Sequence, residues 1–299
     1  MRTNRIFGLI NLAIIMLFVG SGLVLAQNTI TGEWTAEARK DKAEKIQLNF
    51  ERRTEKGGKN QHGSSYEYAD LQGLTRADAE NGRVTFRLVR EAGTIECEGT
   101  FVNGRGAGTF RFIPNTSFAD AMRSRGFDFA GQTSKNSHHD SMEERLFAAT
   151  TLGVTVAMAD DLKSANFPNL DVGDLFKAAI FKIDGKFMAE MKATGFPNLG
   201  MEDLVKARIF KIDAEFVRKT REMGFGTNDF ENLVKFSIFK VTPEFLNELK
   251  AEGLTDLSSE DVVKLRIFKI DAAYVREARA SEPTITVEQL VQKRIGVRR

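Results

Sequence analysis

The chain has little of what catalysis or disulfide bracing requires. It contains one cysteine, Cys97, in 299 residues. A lone cysteine forms no internal bridge, so the fold does not rest on disulfides. In Ile95-Glu-Cys97 it alternates with a charged residue, which predicts a buried, inert thiol on a strand. There are only three histidines. His138-His139-Asp140 is the one cluster with metal-ligand residue types. A metal site needs three or four converging ligands, and adjacent side chains rarely converge on one ion. A solvated linker is therefore the favoured reading, and a metal-dependent enzyme using the pair is the weakest of three functional readings. His62 lies alone in a polar loop. No His-Glu-x-x-His, Ser/His/Asp or Cys/His arrangement can be assembled, and no pair of carboxylates demands an acid/base role. No catalytic residue and no cofactor is predicted. Gly104-Arg-Gly-Ala-Gly108 lacks the Gly-Lys-Ser/Thr of a phosphate loop and leads from a hairpin into a strand, so its glycines fit sheet curvature or close backbone approach.

Charge of one sign is also missing. The chain has 43 Lys+Arg against 41 Asp+Glu. Two of the basic residues, Arg2 and Arg5, lie in residues 1–26, which hold no acid, leaving 41 of each. Nothing in this balance points to nucleic acid or an anionic membrane. The one long apolar run, Ile6 to Leu25, follows those arginines and ends at Val24-Leu25-Ala26. Residues 1–26 read as an export signal, and the small-residue end favours cleavage over an uncleaved membrane anchor. No cysteine near that point offers a lipid attachment site. The expected location is periplasmic or secreted, with membrane contact only through an uncleaved signal.

Residues 27–113 read as a small antiparallel β-domain. Strands are predicted at Ile30–Ala38 and 45–53, and again where Val84, Phe86 and Leu88 alternate, around Ile95 to Phe101, and through Phe110 and Phe112 to Pro114. Thr54–Ser65 reads as an exposed loop and Ala69–Leu74 as a turn or short helical piece. Asn103-Gly104 is a hairpin signal, because a type I′ turn needs positive φ at both central residues. Five or six strands in a small sheet or partly closed barrel suit this length.

What the chain has in abundance is a repeat. Ile-Phe-Lys-Ile-Asp stands at Ile180–Asp184, Ile209–Asp213 and Ile267–Asp271, with Ile238-Phe-Lys-Val-Thr242 between, at a period of 29 residues. Such a period marks stacked supersecondary units. Residues 114–145 read as a helical linker and polar loop. Residues 146–299 read as five units beginning at Leu146, Leu175, Leu204, Leu233 and Val262. One cap position holds Thr155, Asp184, Asp213, Thr242 and Asp271, opening a first helix that ends at Asn166, Gly195, Gly224 and Gly253. A second holds Asp171, Gly200, Asp229, Ser258 and Thr286, opening a second helix that carries the Ile-Phe-Lys-Ile block. The Leu175, Ile180 and Ile183 positions, and Phe187, Phe216, Phe245 and Tyr274, are expected in the core. The predicted fold is α+β: an antiparallel β-domain followed by an all-α solenoid of two-helix repeats of 29 residues.

Three positions recur on the second helix: Lys177, Lys206, Lys235 and Lys264; Phe181, Phe210, Phe239 and Phe268; and Lys182, Lys211, Lys240 and Lys269. They are the candidate partner-binding residues, a basic and aromatic stripe for an acidic or extended partner. The plainer reading is favoured: Phe packing on a neighbouring helix, Lys complementing a helix C-terminus or pairing with Asp174 or Asp203.

Val241-Thr-Pro-Glu-Phe245, Leu249-Lys-Ala-Glu-Gly253-Leu254 and Asp261-Val-Val-Lys-Leu-Arg-Ile267 resemble an uncharacterised bacterial family of tandem helical repeats. That family is associated with exported proteins and with regions following BlaR-type membrane metallopeptidase domains. Arg90-Glu-Ala-Gly-Thr94 and Gly104–Gly108 are similar to the β-domain that accompanies such repeats. The peptidase itself is absent, with no zinc motif. The resemblance implies a cell-envelope context in sensing or regulation, and no activity. The leading expectation is a non-enzymatic interaction protein that binds a protein partner through its array. The alternative is a small-ligand or glycan binder using the β-domain around Trp34 and the Phe86/Phe110/Phe112 face.

Overall fold

The computed structural model describes residues 30–38, 44–53, 59–131, 141–196, 198–225 and 229–296. The export segment 1–26 lies outside the described residues. Among the described residues seven strands come first: β1 (Ile30–Ala38), β2 (Lys45–Arg53), β3 (Lys59–Glu67), β4 (Leu71–Gln72), β5 (Gly82–Arg90), β6 (Gly93–Val102) and β7 (Arg105–Pro114). They form one antiparallel sheet in the order β3-β2-β1-β7-β6-β5-β4. The two edge strands, β3 and β4, are joined only by the 3-10 turn Tyr68–Asp70. Edges tied this closely in sequence cannot stay apart in space, so the sheet curls towards a barrel.

Alternation decides what lies inside. Ile46, Leu48 and Phe50 of β2, Val84, Phe86 and Leu88 of β5, Ile95 and Cys97 of β6, and Phe110 and Phe112 of β7 are all buried. The β6–β7 turn has Asn103 at φ 50° and Gly104 at φ 77°, both positive as a type I′ hairpin requires. The glycines beyond it serve close packing. A Cβ on Gly108 would fall 1.9 Å from the backbone oxygen of Glu98, and one on Gly99 would fall 2.5 Å from the Trp34 ring. The Trp34 indole Nε1 donates to the same Glu98 oxygen at 3.1 Å.

One segment departs from its expected state. Much of the polar stretch expected as a loop is strand β3, paired to β2 with His62 opposite Phe50 and Tyr66 opposite Ile46. Its polar composition suits an edge strand, where pairing needs only the backbone and one face meets solvent.

Among the described residues twelve helices follow: α1 (Thr116–Arg123), α2 (Met142–Leu152), α3 (Val156–Ser164), α4 (Val172–Phe181), α5 (Gly185–Ala193), α6 (Met201–Ile209), α7 (Ala214–Glu222), α8 (Phe230–Ile238), α9 (Pro243–Ala251), α10 (Ser259–Ile267), α11 (Ala272–Ser281) and α12 (Val287–Arg294). Next-but-one helices lie side by side, α4 on α6 and α3 on α5, so the array has an even-numbered and an odd-numbered layer. Leu175, Leu204, Leu233 and Val262 are buried, as are Ile183, Ile212, Val241 and Ile270. These rows are the core between the layers. The core runs unbroken from the barrel to Val234; a second cluster begins at Phe236, and half-buried Phe216 packs against both.

Barrel and array share their core through α2. Phe147 lies parallel to Phe110 with ring centroids 5.4 Å apart, and edge-on to Phe112 at 5.3 Å and His62 at 5.4 Å. The Tyr66 hydroxyl donates to the Thr151 carbonyl at 3.0 Å, and the Val156 amide donates to the Glu91 carboxylate at 2.8 Å. Truncating this plug leaves a void that neither part can close alone. Phe147→Ala is expected to destabilise the protein by about 3–5 kcal/mol. Denaturant unfolding followed by Trp34, the single tryptophan, measures it.

Candidate partner-binding surface

The Ile-Phe-Lys-Ile-Asp block is a corner between two helices. Ile209 is the last helical residue of α6 and Phe210 its cap. Lys211 follows in the left-handed region at φ 54°. The Ile212 amide then reaches back to the Ala207 carbonyl at 2.8 Å, the closing bond of a Schellman motif. The same bond runs from Ile183 to Ala178 at 3.0 Å, Val241 to Phe236 at 2.9 Å and Ile270 to Leu265 at 2.8 Å. One residue on, Asp213 accepts from the Phe216 amide at 2.7 Å and caps α7. Thus five consecutive residues end one helix and begin the next.

This geometry separates the residue rows. The Ile180 row, expected in the core, is exposed: Ile180 55%, Ile209 52%, Ile238 47% and Ile267 46%. At 100° per residue, Ile180 lies about 140° around the helix from buried Leu175, which puts it on the outer face. Phe181, Phe210, Phe239 and Phe268 are half-buried and pack against the core. Ile295, the cap residue just past α12, follows that row at 54%. Eight large apolar residues are exposed among the described residues, and five of them are this row. The outer face of the odd layer instead carries charged residues such as Lys186, Glu215, Arg218, Lys219 and Glu222.

The two lysine rows differ in kind. Three of the four inner lysines are engaged between repeats. Lys177 pairs with Glu202 of the next even helix at 2.7 Å and with Asp174 at 3.2 Å. Lys206 pairs with Glu231, and Lys264 with Glu260 at 3.3 Å and Glu288 at 3.8 Å. These partners raise the pKa of Lys206 and Lys264: for Lys206 through its hydrogen bond to Glu231, for Lys264 through that to Glu260. Lys235 has no carboxylate partner among the described residues. The outer row is different: Lys182, Lys211, Lys240 and Lys269 are exposed, and their ammonium groups meet no carboxylate among the described residues. All four have positive φ, at 54°, 54°, 51° and 53°. The equivalent corner of the first unit has Gly153 at φ 70°, and the last has Gly296 at φ 79°.

A left-handed corner residue prefers glycine, since a Cβ there meets the following carbonyl oxygen. The odd helices follow that rule, with Gly195, Gly224 and Gly253 at their ends and Asn166 as the usual substitute. The even helices break it four times with the same residue. A lysine near a helix C-terminus gains from the helix dipole, but only by a few tenths to one kcal/mol, roughly.

Among the described residues the other candidate sites have their polar groups engaged or their space filled. His138, His139 and Asp140 lie outside the described residues. Among the described residues no three His, Cys, Asp or Glu side chains converge. Trp34, Phe86, Phe110 and Phe112 are buried, and Phe147 fills the space beside Phe110 and Phe112. A cleft of about 330 Å³ at the barrel–array junction is lined by Arg52, His62, Glu144, Arg145 and Phe176. Its charged groups are engaged: Arg52 pairs with Glu144, and Arg145 donates to the Phe129 carbonyl at 2.8 Å. A cleft of about 320 Å³ between α5 and α7 is lined by Glu190, Thr194, Val217 and Arg221; Arg221 already donates to the Thr194 carbonyl at 2.5 Å.

No family model, no curated protein and no solved structure matches the chain.

Two outcomes follow from this geometry. Lys240→Gly relieves the left-handed corner and is expected to stabilise the array by about 0.5–1 kcal/mol, net of the lost dipole contact, as read by thermal or denaturant unfolding. Burial holds the Cys97 thiol protonated by pushing its pKa up. It should resist alkylation at neutral pH while the protein is folded and react fully in denaturant, as mass spectrometry can count.

Proposed function

We propose that this chain is a non-enzymatic interaction scaffold, binding a protein partner on the even-numbered face of its helical array. The observation that carries the reading is the isoleucine row, Ile180, Ile209, Ile238 and Ile267, exposed near the C-terminal ends of four successive even helices, with Ile295 exposed just past the fifth. Random surface leucines and isoleucines are ordinary; a periodic row on one face only is not. The filled barrel supports the partner reading over the small-ligand or glycan reading, because Phe147 occupies the space a ligand would take beside Phe110 and Phe112. The favoured export signal at residues 1–26 and the resemblance of the repeats to those of exported bacterial proteins support a role in the cell envelope, in sensing or regulation.

A photoreactive residue replacing Ile209 or Ile238, with one replacing Lys219 on the odd face as control, tests the reading in the producing cell. Covalent capture of a protein from the even face alone is expected. Ile238→Asp with Ile267→Asp should abolish capture from position 209 while changing stability by no more than about 0.5 kcal/mol each, as exposed substitutions do. Equal capture from both faces, or capture that survives the Asp pair, would sink the reading.

A further inference from the structure

We infer that the partner segment seated on this face is an acidic amphipathic helix, presenting one apolar residue and one carboxylate every seven residues. The inference rests on the scaffold reading and names the chemistry of its occupant. Its observation is separate: the left-handed lysines. Lys182, Lys211, Lys240 and Lys269 each stand two residues beyond an exposed isoleucine, within about 7 Å of chain. The array therefore offers an apolar row flanked by a row of cations whose charges no carboxylate neutralises among the described residues. Retaining lysine at four corners where glycine is conformationally better points to a use for the ammonium groups, since an observed backbone outlier licenses a functional hypothesis.

The spacing selects a helix. Side-by-side helices lie about 8–10 Å apart, and seven residues of α-helix rise about 10.5 Å. A helix laid across the even layer thus returns an equivalent residue to each repeat. In an extended strand, by contrast, every third residue rises about 10 Å but alternates faces. An amphipathic helix also carries an apolar column and an acidic column side by side, matching adjacent Ile and Lys rows.

One other occupant fits less well. A second copy laid isoleucine on isoleucine about a two-fold axis that crosses the rows brings lysine rows against lysine rows, and like charge repels.

The test uses the mature chain and a synthetic 28-residue helix with Leu and Glu in adjacent heptad columns. Its controls are the same peptide with Glu→Gln, a scrambled peptide of the same composition, and phosphatidylglycerol vesicles. Binding is followed by fluorescence anisotropy of a labelled peptide and by vesicle sedimentation, and self-association by sedimentation equilibrium. The acidic helix should bind the wild-type chain, at least about tenfold tighter than either control peptide, and weaken as salt rises. The variant K182G/K211G/K240G/K269G should lose at least about tenfold in affinity while its Tm stays level or rises, which separates lost binding from lost folding. Binding unchanged by the four glycines, or no binding of the acidic helix, overturns the inference. Preference for vesicles, or self-association abolished by Ile238→Asp, overturns it in favour of those occupants. If even-face capture in cells persists while these arms fail, the scaffold reading stands and the acidic helix does not; if even-face capture also fails, both fall.

Discussion

No helix of the array can hold itself. Most are nine or ten residues long, and the longest, α2, has eleven, below the length at which isolated helices persist in water. Both ends of each must therefore be closed locally, and one face must be covered by a neighbour. The first need explains the regular capping. Asp184, Asp213, Thr242 and Asp271 each accept from the amide three residues on, at 2.7, 2.7, 3.3 and 2.9 Å. Ser141, Asp171, Ser258 and Thr286 form reciprocal capping boxes with Glu144, Asp174, Asp261 and Gln289.

The second need couples each repeat to the next. Basic side chains reach back to carbonyls that the preceding helix leaves unpaired: Arg221 to Thr194, Arg279 to Glu252 and Arg266 to Phe239, at 2.5, 2.8 and 2.8 Å. Two of these guanidiniums also cover an aromatic ring, Arg266 that of Phe245 at 4.5 Å and Arg221 that of Phe196 at 5.7 Å. Stability in such an array is a sum over neighbours. The first neighbour is the barrel, entered by Phe147, so the barrel serves as the array's starting cap. The division of the core between Val234 and Phe236, bridged by Phe216, marks where that coupling is thinnest.

Much of this was legible beforehand because it is local. Hairpin chemistry at Asn103-Gly104, caps at Asp184 and its equivalents, and C-terminal glycines at Gly195, Gly224 and Gly253 depend on a few adjacent residues. Strand β3 was not legible: its sequence is polar, and only the partner strand β2 makes it a strand. The isoleucine row was misplaced for a related reason. Ile180 and Ile183 look alike in composition, yet one lies on the outer helical face and the other beyond a left-handed residue that turns it inward.

By itself the sequence determined the period, the order of a sheet followed by paired helices, and the polarity of each cap, all set by hydrogen bonds and steric limits within one turn of chain. Only the tertiary structure decided which residues of each repeat meet solvent and which lysines remain unpaired. The inner row finds carboxylates across the gap to the next even helix, Lys177 to Glu202 and Lys206 to Glu231, a contact 25 residues away in the chain. The outer row projects from corners where no neighbour's carboxylate reaches it. That difference arises from stacking, which brings repeats together at a distance no single repeat encodes.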